Sequence, residues 1–125
     1  MRSPHRVVAG VSAKTASAIL RWEVAHPWLE PGSVANALRG WSAFVHRPIR
    51  DIADASGGHG EPRPCDHCQP GPDHRDMLQL VVNALPRNAA RELHRRVAPL
   101  DEHYLRRTVP DSFAPHHLPW WQRRC

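Results

Sequence analysis

The segment RPCDHCQPGPDHRDM, residues 63–77, carries Cys65, Cys68 and His74 in close succession. Two cysteines separated by two residues let a tight turn aim both thiolates at one ion, which is half of a tetrahedral zinc site. His74, six residues beyond Cys68, supplies a third ligand, and His59, on the other side of the cysteines, is the first choice for the fourth. His67 lies inside the turn, and His94, His103 and Cys125 are more distant alternatives. The expected cofactor is therefore a structural zinc ion held by Cys65, Cys68, His74 and His59.

Other chemistries fit parts of this pattern. A thiol-disulfide redox protein would use Cys65 and Cys68, but such a pair sits between a strand and the helix that its second cysteine enters. No strand pattern precedes these cysteines, and Pro70 and Pro72 delay the helix. A zinc-supported nuclease of the His-Asn-His type needs a strand before its histidine, and QPGP is not one. A metal-free pair within a linker is the remaining alternative.

A second set of residues points to macromolecular binding. Arg87, Arg91 and Arg95 recur at helical spacing and could track phosphates, although Glu92, Asp101 and Glu102 interleave and also suit a solvated face with its own ion pairs. In the tail, Trp120 and Trp121 precede Arg123 and Arg124, a combination able to stack on bases, grip a protein, or fold back over a small core. No Ser or Cys nucleophile motif and no glycine-rich phosphate loop occurs, so catalytic residues are not expected.

The charge balance agrees with an anionic partner without requiring one. Seventeen Lys and Arg residues against twelve Asp and Glu give a formal charge of +5, and a basic surface attracts nucleic acid or acidic protein faces. Lys14 is the sole lysine. Such an arginine bias also follows from GC-rich codon usage, which weakens it as a sign of selection for phosphate contacts. Three cysteines do not form a disulfide framework, so a reducing, cytoplasmic location is expected. No apolar run is long enough to cross a bilayer.

These residues need elements to position them. From Ser12 as cap, Ala13, Ala16, Leu20 and Val24 step at helical spacing, predicting a first helix to about Ala25. After EPGS, Val34, Leu38, Trp41 and Val45 predict a second, closed by Pro48. Asp73 is expected to cap a third, with Asp76 completing a carboxylate variant of the capping box and Leu78, Val81, Val82 and Leu85 as its face. Ala90, Leu93, Val97, Leu100 and Tyr104 predict a fourth, kinked or split at Pro99. Thirteen prolines and seven glycines keep the elements short.

The stretch from Asp73 to Asp111, containing ALPRNAARELHRRVAPLDEHYLRRTVPD, together with the terminal PWWQRRC, resembles short uncharacterised proteins of GC-rich actinobacteria. The resemblance covers the C-terminal half and implies no activity and no functional residue. The expected fold is all-α, with four or five short helices in two pairs joined by a Gly/Pro-rich, zinc-ordered loop. A helical pair over 1–50, the loop over 51–72, a second pair over 73–110 and a Pro/Trp/Arg tail over 111–125 make up the chain. The function expected of such a chain is that of a small non-enzymatic accessory or regulatory protein, binding either a protein partner or, weakly and nonspecifically, nucleic acid.

Overall fold

The first helix, α1 (Ala13–Val24), begins where Ser12, in extended conformation, turns its hydroxyl back to accept from the Thr15 amide at 3.2 Å. Such a side-chain acceptor satisfies one of the donors that a helix start leaves without an intrahelical partner. In the computed structural model, which describes residues 7–48 and 72–124, three further α-helices follow: α2 (Ser33–Val45), α3 (Pro72–Ala84) and α4 (Arg87–Arg107). A 3₁₀ turn at Trp120–Gln122 closes the tail. The protein is all-α, with no strand among the described residues beyond one isolated antiparallel bridge between Pro110 and Arg124.

The two successive helix pairs share one core. Helix α2 packs most extensively on α3, and α1 lies against α4 more than against α2. Trp41 and Phe44 from α2 stack at 5.6 Å between centroids, and Tyr104 from α4 meets Trp41 at 5.1 Å. Leu78 and Val81 from α3 and Leu93 and Val97 from α4 complete this fully buried centre. The apolar stripes expected for α2, α3 and α4 face this core, with Leu38, Val82, Ala90 and Leu100 half-buried at its edge.

Helix α1 differs from expectation. Val24 is 68% exposed and Ala13 is exposed, whereas Thr15, Ala18, Ile19 and Glu23 face inward. The buried polar groups explain the rotation. The Glu23 carboxylate accepts from the Gly32 amide at 3.2 Å and from the Val34 amide at 2.8 Å, so it caps the entry of α2 from a different helix. Thr15 donates its hydroxyl to Glu92 of α4, which also accepts from the Ser12 amide at 2.8 Å. The inner face of α1 is chosen by these hydrogen bonds as much as by apolar area.

Two boundaries are also corrected. Helix α3 starts at Pro72, so Asp73 lies within its first turn and is not its cap. Proline suits a first helical position because its missing N–H would have no helical partner there. Asp76 binds the tail, accepting from Trp121 Nε1 and the Gln122 side-chain amide. Helix α4 continues through Pro99, so it is not split there. Pro99 is exposed, and burial of the apolar side chains of Val97 and Tyr104 around it offsets the roughly 3 kcal/mol that an interior proline costs.

The tail folds back as an ordered strap. The Asp111 amide donates to the Arg123 carbonyl at 2.8 Å, and Tyr104 donates its hydroxyl to the Trp121 carbonyl at 3.3 Å. Arg124 reaches the Thr108 hydroxyl at 2.8 Å and the Thr108 carbonyl at 2.6 Å. Arg124 also donates to the Leu105 carbonyl at 3.2 Å, so its guanidinium satisfies carbonyls that the end of α4 would otherwise leave open.

Candidate functional site

Of the four residues expected to hold zinc, Cys65, Cys68 and His59 lie outside the described residues, as do His67 and Cys125. His74 stands on the first turn of α3, half-buried against α2. A Cβ placed on Gly40 would lie 2.4 Å from His74 Nε2, so α2 and α3 approach this closely only because residue 40 has no side chain. Among the described residues, no three His, Cys, Asp or Glu side chains gather where they could share a metal ion. His94 is exposed on α4, and His103 stacks on His46 at 4.4 Å between ring centroids.

The arginines of α4 are arranged more simply than the interleaved acids suggested. Arg87, Arg91 and Arg95 are all exposed and lie on the face turned away from Leu93, Val97 and Tyr104. None of the three makes an ion pair or side-chain hydrogen bond within the described residues. The acids that share the helix are already engaged. Asp101 is buried on Arg75, Glu92 holds Ser12 and Thr15, and Glu102 pairs with Arg106 at 3.5 Å. Hydrogen bonding from Thr15 and the Ser12 amide, aided by nearby Arg95, holds the Glu92 carboxyl below the usual carboxylate range, so it stays ionised and bonded to α1. Successive arginines four residues apart rise about 6 Å along the helix. The result is a ladder of three cationic side chains.

The tail residues serve the fold. Trp121 is buried, Trp120 is half-buried, and the Arg75 guanidinium lies 4.3 Å from the Trp121 ring and 5.9 Å from that of Trp120. Trp121 Nε1 donates to Asp76 at 2.6 Å, with Gln122 donating to the same carboxylate at 2.7 Å. Arg124 is occupied by the strap, and Arg123 has a buried Nε without a hydrogen-bond partner.

Sequence reasoning missed the polar centre of the molecule. Arg75 and Asp101, 3% and 8% exposed, join through two parallel hydrogen bonds of 2.8 and 2.9 Å, and Trp41 Nε1 donates to the same carboxylate at 3.0 Å. Register was the available signal. Arg75 precedes Leu78 by three, and Asp101 sits between Val97 and Tyr104, so both occupy inward positions of amphipathic helices. Also unanticipated was the aromatic series Trp22, His26 and Trp28 at the α1–α2 connection, with Trp28 70% exposed.

Comparison with protein-family models, with curated proteins and with solved structures finds no match to the chain.

Proposed function

We propose that this chain is a small non-enzymatic accessory protein that binds nucleic acid through the backbone phosphates, using the outward face of α4. The observation that carries this reading is the exposed ladder of Arg87, Arg91 and Arg95, which makes no ion pair or side-chain hydrogen bond among the described residues, on a helix whose acids bond to other partners. Guanidinium groups form bidentate hydrogen bonds with phosphate oxygens. Phosphate contacts of this kind give affinity and orientation but no sequence discrimination. Trp121 is buried and Trp120 is half-buried against the core, which favours a duplex backbone over a single strand stacked on the two rings.

A structural zinc knuckle on Cys65, Cys68, His74 and His59 belongs to this reading as the device that orders the segment between α2 and α3. His74 supports it, since it stands where α3 begins and has no hydrogen-bond partner among the described residues. Fluorescence anisotropy with a short labelled duplex of arbitrary sequence tests the proposal. The protein should bind duplexes of unrelated sequence equally, and failure to bind any of them at 50 mM salt would refute the reading in favour of an acidic protein partner.

A further inference from the structure

We infer that a groove between the N-terminal segment, α2 and α4 is a binding site for a small amphiphilic carboxylate. The groove encloses about 410 Å³, within the range of small-molecule sites, which are mostly apolar with a few placed polar groups. Val8 from the N-terminal segment, Leu38 from α2, and Pro99 and Leu100 from α4 supply the apolar walls, and Ser42 adds a hydroxyl. No acidic residue is among those lining it.

Arg96 sets the chemistry of the occupant. Its guanidinium lies against Gly10, where a Cβ would meet Nε at 3.0 Å and where φ of +85° already favours glycine. The side chain is thereby seated at the groove, yet it makes no ion pair or hydrogen bond with a described residue. One planar guanidinium beside an apolar trough suits a monoanion with a planar head and a hydrocarbon tail. A carboxylate meets the fork through two parallel hydrogen bonds while its chain lies on Leu38 and Leu100. Unlike the outward face of α4, this site depends on apolar burial as well as charge.

The test is an amide NMR titration of the full chain with decanoate below its micelle concentration, with decyltrimethylammonium as a probe of equal tail length and opposite charge. Decanoate should give saturable shifts centred on Val8, Leu38, Arg96 and Leu100, and the cationic probe none. Arg96 is exposed, so Arg96→Gln leaves the core intact and should weaken decanoate binding roughly tenfold through loss of a charged hydrogen bond. Leu38→Trp, which fills the trough, should abolish binding with the remaining amide spectrum preserved. Undiminished affinity in Arg96→Gln, equal binding of the cationic probe, or no saturable shift in the wild type would each overturn the inference.

Discussion

Arg75 and Asp101 meet through two parallel hydrogen bonds, and the same guanidinium carries the Trp121 ring at 4.3 Å. One ion pair therefore ties α3 to α4 and seats the tail on both. A charge pair in the interior regains its desolvation cost only when its remaining hydrogen-bonding groups are satisfied, and here Trp41 and Gln79 supply those bonds. Removing one partner should cost about 3–5 kcal/mol, because it leaves the other charge buried and alone. Urea unfolding of Arg75→Met, Asp101→Leu and the double variant checks this. The double variant should be more stable than either single one, and additive losses would show that the two side chains act independently.

Glu23 is the second polar residue that the fold depends on. Its carboxylate holds the two amides at the entry of α2, so Glu23→Ala should lose about 1–3 kcal/mol, the cost of leaving buried donors unbonded. Glu23→Gln keeps one acceptor oxygen and should lose less. Chemical denaturation of the two variants side by side distinguishes them, and equal losses would mean that packing volume, not hydrogen bonding, is what Glu23 provides.

These two sites mark where the sequence was legible and where it was not. Leu78, Val81, Leu93, Val97 and Tyr104 advertise buried faces because apolar side chains recur at helical spacing, and transfer from water alone decides their direction. In α1 the same rule selects Val24, yet the chain buries Glu23 beside it. The reward for turning Glu23 inward comes from amides nine and eleven residues away, which no local period encodes. The arginine ladder was visible as a pattern. The absence of ion pairs to it among the described residues was not, since that depends on Glu92 reaching α1 and Asp101 reaching α3.

Stability should fall with acid through His103. Burial lowers its imidazole pKa, and the nearby positive charge of His46, Arg107 and Arg106 lowers it further. The folded state thus resists a proton that the unfolded chain accepts near its ordinary value of roughly 6.5. The contribution is complete above that value and is lost as pH falls through the lower folded one. Glu92 acts in the same sense at more acidic pH, through its bonds to Thr15 and Ser12. Urea midpoints at pH 7.5 and 5.5 should drop less in His103→Gln than in the wild type, and an equal drop would assign the acid sensitivity to other groups.

Gly40 and His74 should be coupled. Gly40→Ala places a methyl group on the His74 ring and should destabilise by about 1–3 kcal/mol, with His74→Ala relieving part of the loss. A thermal unfolding cycle over the four proteins measures the coupling, and a value near zero would contradict the close approach of α2 and α3.

The proposed zinc site has its own measurement in metal content by mass spectrometry on untagged protein purified without chelator. A single bound zinc should be present in the wild type and lost in Cys65→Ser and Cys68→Ser, with a lower unfolding temperature in both. A zinc-free, cooperatively folded wild type would remove the knuckle from the account and leave the arginine ladder untouched.

The central claim is that Arg87, Arg91 and Arg95 contact phosphates. It is tested most directly by duplex DNA affinity as a function of salt, for the wild type and for Arg87→Gln/Arg91→Gln/Arg95→Gln. Each phosphate contact contributes about −0.9 to the slope of log affinity against log salt concentration, so three contacts should make the wild-type slope steeper than the variant's by about 2.7. Identical slopes in the two proteins would contradict the account.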